Sequence, residues 1–392
     1  MKAALHCPYC YSPFTAREIK FRCTGRRSRV GDQCSSVTDE VLQSRTGFRG
    51  ALAPVFAADG RSSKAACPKC QGETTTRVCP VCHKTLPVHF GKVGSRLIAL
   101  VGAKETGKTV FMTVLVHELM TRVGSRFDAA MSGADDETRE RFAGSYEGPL
   151  YREKRLLATT TRAGQAGREP LVFRFTTEER RLMGACPQHT LLSFFDTAGE
   201  DLTSKHSVEE NARYLSAADG IVLLLDPLQM RGARALAKPG TRLPAEGGVA
   251  DDPANVLERI TEVVMAVDGG PKKKIGKPLA IAFTKLDTLS HDLRETSPLR
   301  RPAPQAPFFD ETDSEEVHSE ILRLLTRWDG ARIDQIASKH YQRFRYFGLS
   351  ALGETPTKDN RVSERGIRPY RVADPFLWAL GGFGVIKVKK GS

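Results

Sequence analysis

The chain has 392 residues, 59 Lys plus Arg against 46 Asp plus Glu, and a formal net charge of +13. With 40% hydrophobic and 27% charged residues it is excluded from the disordered class, and its length predicts about two to three domains with real cores. The positive balance raises nucleic acid or an acidic membrane face as partners, but no run of about 18 apolar residues is present to span a bilayer.

The N-terminus reads MKAALHCPYC, and His6 and Cys7 break its apolar stretch too early for a signal peptide. A cytoplasmic protein is expected. In a reducing compartment its nine cysteines suit metal ligation better than disulfides. Charge is concentrated at this end. Residues 1–95 hold 15 Lys plus Arg and 6 Asp plus Glu, a net +9, and the remaining chain adds only +4. The expected boundary falls at about residue 94, giving a cysteine-bearing module over 1–93 and a second domain over 94–392.

Eight of the cysteines lie in the module. CxxC places two thiolates on one tight turn, and two such turns complete a tetrahedral Zn²⁺ site. Cys67-Pro-Lys-Cys70 and Cys79-Pro-Val-Cys82 are separated by eight residues, which predicts a small ribbon with a hairpin between the knuckles. The second predicted site uses Cys7, Cys10, Cys23 and Cys34. An interleaved arrangement, with CxxC pairs exchanged between sites, is the alternative that spacing leaves open. His83 is expected to be solvated. The basic stretch Phe21–Arg29 suits either phosphate tracking or a solvated loop. Eight thiolates (−8) on two Zn²⁺ (+4) lower the formal charge from +13 to +9, which weakens the case for nucleic acid.

An apolar strand, Arg96–Val101, then enters Gly102-Ala-Lys-Glu-Thr-Gly107-Lys108-Thr109 and a helix with apolar Val110, Phe111, Val114, Leu115 and Leu119. This is GxxxxGK[ST] between a strand and a helix. Its glycines let backbone N–H groups, from Glu105 through Val110, turn inward around phosphate at a helix N-terminus. Lys108 is positioned for the β- and γ-phosphates, and Thr109 for Mg²⁺. A second apolar strand, His189–Phe195, ends at Asp196-Thr-Ala-Gly199-Glu200. Asp196 suits Mg²⁺ through water, and the Gly199 N–H suits the γ-phosphate. Leu279–Phe283 leads into Thr284-Lys285-Leu286-Asp287, and Phe344–Leu349 into Ser350-Ala351-Leu352.

Four such motifs in this order, each after an apolar strand, resemble those of Ras-like P-loop GTPases. The resemblance implies a doubly wound α/β fold with a mostly parallel sheet. Thr284, Lys285 and Asp287 would read guanine, because adenine lacks the two donors that the Asp carboxylate accepts. Ser350, Ala351 and Leu352 would contact the guanine carbonyl. The cysteine ribbons, DTAGEDL, the Ala218–Pro227 stretch and Val372–Trp378 make the chain similar to bacterial TRAFAC-class GTPases of the double-GTPase type. That likeness spans about residues 94–384. It implies a GTP-hydrolysing switch working with partner proteins in a multi-gene signalling or defence system.

The chain departs from small GTPases in three places. Glu200 stands where many carry Gln, to position water or to face solvent. Lys104 replaces a glycine and either mimics an arginine finger or pairs with an acid. Glu105 lies where some cation-dependent GTPases place a monovalent-ion ligand. The first-switch threonine falls among Thr159, Thr160 and Thr161, with Thr160 preferred, and Arg162 is a candidate internal finger or a surface arginine. Insertions are expected at about 123–154 (helix-like), 229–252 (Gly-, Ala- and Pro-rich) and 288–312 (a loop), where partners dock. The apolar then basic tail, 376–392, is expected to pack as a terminal helix. The alternative reading is a nucleic-acid-associated GTPase recruited through its ribbons.

Overall fold

A computed structural model describes residues 5–25, 33–88, 90–91, 94–103, 105–157, 169–181, 184–194, 212–241, 243–244, 252–267, 274–357 and 359–391. Its centre is a seven-stranded sheet. In chain order the strands are β1 (Gly94–Gly102), β2 (Ala129–Gly133), β3 (Leu171–Arg181), β4 (Gly184–Phe194), β5 (Gly220–Leu225), β6 (Leu279–Phe283) and β7 (Phe344–Gly348). They lie side by side as β2-β3-β4-β1-β5-β6-β7. The run β4-β1-β5-β6-β7 is parallel. The β2–β3 and β3–β4 pairs are antiparallel.

The two central parallel strands β5 and β6 are apolar throughout because both faces are covered. All of GIVLLL in β5 and LAIAF in β6 is buried. Side chains alternate between two layers. Leu97, Ala99, Val101, Ile221, Leu223, Leu225, Ile281 and Phe283 join one core. Ile98, Leu100, Val222, Leu224, Ala280 and Ala282 join the other.

Among the described residues, helices α2 (Pro253–Val267), α3 (Glu311–Arg327) and α4 (Ala331–His340), with the helical 212–217 segment, pack on the first layer. Helices α1 (Lys108–Glu118) and α5 (Asp374–Gly382), with the helical Phe142–Arg152, pack on the second. Helix α3 buries Val317, Ile321, Leu324 and Leu325, a stripe at helical spacing. Its start is set by Asp310, whose side chain accepts from the N–H groups of Thr312 and Asp313. This is the expected doubly wound arrangement, with loops gathered at the carboxyl ends of the parallel strands.

The terminal helix packs as the apolar tail predicted. Phe376, Leu377, Trp378, Ala379 and Leu380 of α5 are all buried. Beyond it, Val388–Lys389 forms a short parallel pairing with Phe309–Asp310, which tethers the proline-rich 288–312 segment. The 123–154 insertion is helical over Gly124–Arg126, Asp136–Arg141 and Phe142–Arg152, as its composition suggests, and adds β2, an unexpected strand that extends the sheet at one edge.

The cysteine module is built on a three-stranded sheet. Lys20–Arg22 lies between Val55–Phe56 and Arg77–Val78, antiparallel to both. The module does not stand apart from the central sheet. Tyr9, Phe14, Ile19, Leu86 and Phe90 share a core with Val172 of β3 and Leu191 of β4.

Candidate functional site

The cysteines converge into two groups of four: Cys7, Cys10, Cys79 and Cys82, and Cys23, Cys34, Cys67 and Cys70. The expected grouping of Cys7, Cys10, Cys23 and Cys34 against Cys67, Cys70, Cys79 and Cys82 is therefore corrected to the interleaved one. The reason is a strand, not a hairpin, between the last two knuckles. Arg77–Val78 runs straight from the Cys67–Cys70 end of the module to the Cys79–Cys82 end. Pairing Lys20 with Val78 brings Cys79 beside the start of the central strand. Cys23, at the other end of that strand, is left with Cys70.

Three turns repeat one geometry. Tyr11, Gln71 and His83 each donate their N–H to the carbonyl of the first cysteine, at 3.0, 2.8 and 3.0 Å. Each has a left-handed backbone, with φ of 60°, 58° and 57°. Amide N–H groups also point at sulfur, including Tyr9 to Cys7, Val81 to Cys79 and Gly72 to Cys70, all at 3.4 Å. Sulfur pairs lie 3.9 Å (Cys7–Cys82), 3.8 Å (Cys10–Cys79), 3.8 Å (Cys34–Cys67) and 3.4 Å (Cys23–Cys70) apart. A tetrahedron with bonds of about 2.3 Å requires about 3.8 Å. In each group the four sulfurs lie within 4.8 Å of one another, a donor set that could hold a four-thiolate ion, with Cys23–Cys70 closer than the tetrahedral edge.

His83 is neither ligand nor solvated. Its Nδ1 meets Asp39 at 2.9 Å and its Nε2 meets Lys20 at 3.2 Å. Burial opposes the Asp39 charge. Bonds from the Leu42 N–H, Arg22 and His83 outweigh it and hold the carboxyl at about 2. Arg22 is committed inside the module, donating to Asp39 and to the carbonyls of Ala53 and His83. It is thus withdrawn from any phosphate-tracking role.

At the sheet's carboxyl edge, β1 ends on Gly102, where an added Cβ would meet the Leu224 carbonyl at 2.6 Å. Glycine is required there so that the loop can leave between β1 and β5. Gly107 adopts φ 81°, which turns the loop into α1. Lys108 is buried and donates to the carbonyls of Gly102 and Ala103 at 2.8 and 3.2 Å, so its charge sits within the loop. Thr106 is buried with its hydroxyl on the Ala103 carbonyl at 2.8 Å. Glu105 is exposed with φ 62°, and Thr109 and Val110 are half-buried at the first turn of α1.

The loop after β6 is tied to this cradle. Thr284 donates its hydroxyl to the Thr106 carbonyl at 3.1 Å. Asp287 is held by the loop after β7, where the Ser350 hydroxyl donates to its Oδ1 at 2.6 Å. The Gly353 N–H in turn holds Ser350 Oγ at 2.9 Å, and Ala351 and Leu352 sit half-buried in the same turn. Three motifs far apart in sequence thus meet through side chains.

One residue of the Ala218–Pro227 stretch gains a role that its sequence did not assign. Asp226, fully buried at the end of β5, accepts from Lys285 Nζ at 2.6 Å and from the Leu228 N–H at 2.9 Å. It holds the Lys285 stem, whose backbone is left-handed at φ 55°. An Asp ending an apolar strand was the signal, the same one that marked Asp196. Lys104, Thr159, Thr160, Thr161, Arg162, Asp196, Gly199 and Glu200 lie outside the described residues. Among the described residues, no helix is long and apolar enough to cross a membrane.

Comparison with known proteins adds a family. A curated relative in Mycolicibacterium smegmatis, named putative ESX-1 scaffolding and assembly protein SaeC, is 32% identical over 332 residues, 79% of this chain and 80% of that protein. A complex of the signal recognition particle receptor, SRb-GTP/SRX from Chaetomium thermophilum, matches 67% of this chain and 94% of its own at 13% identity, with a TM-score of 0.29. The Saccharomyces cerevisiae Ski7 GTPase-like domain bound to GTP matches 75% and 51% at 15% identity, with a TM-score of 0.32. The family model described as Double-GTPase 2 matches residues 96–323, which take in the Gly102–Thr109 loop, β5 with Asp226, and Thr284–Asp287. The chain belongs to the Double-GTPase 2 family.

Proposed function

We propose that this protein binds GTP and Mg²⁺ at the carboxyl edge of the sheet and hydrolyses GTP slowly, as a switch that acts on partner proteins. The observation that carries the reading is the joining of Thr284 to the Thr106 carbonyl and of Ser350 to Asp287. It supports the reading by tying the Gly102–Thr109 loop to the loop that carries Asp287. Loop N–H groups and Lys108 bind the phosphates. Asp287 accepts from guanine, and Lys285, held by Asp226, covers the base plane. Thr109, with Asp196 and one of Thr159–Thr161 (Thr160 preferred), would hold Mg²⁺, which would neutralise phosphate charge when bound. The relative's name, a scaffolding and assembly protein, supports a role in building a multi-protein complex.

In the reaction, Glu200, Lys104 and Arg162 are the candidate groups for water and transition-state charge. Without a partner, turnover on the order of 10⁻⁴ s⁻¹ is expected. Single Ala variants at the three positions, assayed for phosphate release on the isolated chain, rank them. A group that acts in cis lowers the rate by about tenfold or more; unchanged rates in all three mean that the catalytic group comes from the partner.

Asp287→Asn tests the base assignment. It replaces an acceptor of two guanine hydrogen bonds, so GTP affinity should fall about 100-fold or more. Xanthosine triphosphate, which presents a carbonyl where guanine has an amino group, should bind better than GTP to this variant. Equal GTP binding by both forms would contradict the assignment.

We further propose that each cysteine group holds one Zn²⁺. The pairing is checked by metal content. Cys7→Ser with Cys79→Ser strikes one centre and should leave one equivalent. Cys7→Ser with Cys67→Ser strikes both and should leave none. The grouping expected from spacing would cost both equivalents in the first double variant.

A further inference from the structure

The first cysteine centre lies against the strands that flank the nucleotide motifs, and the contacting residues are its own neighbours in sequence. Pro8, between Cys7 and Cys10, accepts from the Ser193 hydroxyl at 2.7 Å. Tyr11, next after Cys10, places its hydroxyl 3.2 Å from the same Ser193 Oγ and its ring 5.0 Å from Tyr214. Tyr9 donates to Asp135 at 2.5 Å. Burial and the Asp135 charge push its phenol well up, so it remains a donor. Lys84, two residues after Cys82, bridges Glu137 and Glu169.

The far ends of these contacts matter. Ser193 is on β4, three residues before Asp196. Glu169 precedes β3 and follows the Thr159–Thr161 segment in sequence. Val172 of β3 pairs with Ser193 of β4, so the two anchors sit at one end of one strand pair. A shift of that pair relative to the module breaks the Ser193 and Glu169 bonds together. The second centre differs. The partly buried residues packed on it, Ala53 and Phe56, belong to the module itself.

We propose that the Cys7, Cys10, Cys79 and Cys82 centre is a metal-dependent clamp on β3 and β4, so that metal binding there and guanine-nucleotide binding are thermodynamically linked. The inference rests on the GTP-binding reading. The metal fixes the knuckles that carry Pro8, Tyr11 and Lys84, and these hold β3 and β4, which Thr159–Thr161 precede and Asp196 follows in sequence. Linkage is reciprocal, so nucleotide must alter metal retention by the same factor by which metal alters nucleotide affinity. The second centre serves as an internal control.

The test uses the full chain carrying both metals. Zinc transfer to a chromophoric chelator is followed with GDP or a non-hydrolysable GTP analogue bound. Dissociation of a fluorescent GDP is followed in parallel. One of the two zinc equivalents should leave at rates that differ about fivefold or more between nucleotide states, and the other at one rate. In Tyr11→Phe with Lys84→Gln, which spares all eight ligands, that difference should collapse and GDP dissociation should shift several-fold. Nucleotide-independent release of both equivalents from the unmodified chain overturns the proposal, as does a double variant that keeps the full difference. Absence of any fluorescent GDP binding overturns the GTP-binding reading as well, and is told apart because no dissociation signal exists to measure.

Discussion

The hydrogen bond from the Thr284 hydroxyl to the Thr106 carbonyl is the constraint on which the proposed nucleotide site depends. Each loop leaves its own strand, and parallel strands fix only where the loops begin. A buried side-chain bond ties the Gly102–Thr109 loop to the loop that carries Asp287. Burial strengthens it, since a lost partner would leave a polar group unsatisfied away from water. Asp226 acts in the same way one strand over. A fully buried carboxylate is tolerated only with a close cation, and Lys285 supplies that cation while being held in place by it.

The parallel sheet explains why so much was legible. Strands β5 and β6 are continuous apolar runs because helices cover both faces, β1 and β7 are apolar toward their carboxyl ends, and each announces the loop that follows it. The Gly102–Thr109, Thr284–Asp287 and Ser350–Leu352 motifs are contiguous, so their residue types carry their geometry locally. Gly107 needs its positive φ, and Gly102 needs the space that Leu224 denies to a side chain. The buried terminal helix was equally plain from its run of Phe376–Leu380.

What spacing could not supply is information about non-local pairing. Eight residues between Cys70 and Cys79 suit a hairpin or a through-running strand equally well. Only the pairing of Arg77–Val78 with Lys20–Arg22 decides which cysteines share an ion. The same holds for His83 and Arg22, whose roles depend on Asp39 arriving from elsewhere in the chain. It holds too for β2, a short edge strand inside a charged segment whose composition favours helix. The docking of the module on β3 and β4 is the most distant case, since Tyr11 and Ser193 are 182 positions apart.

The central claim is that the carboxyl edge of the sheet is a guanine-nucleotide site. Titration of the full chain with fluorescent GTP and fluorescent ATP, in Mg²⁺ buffer, tests it most directly. A guanine-reading role for Asp287 predicts GTP binding at least about 100-fold tighter than ATP, because adenine leaves the carboxylate unpaired. Equal affinity for the two nucleotides, or binding of neither, would contradict the account.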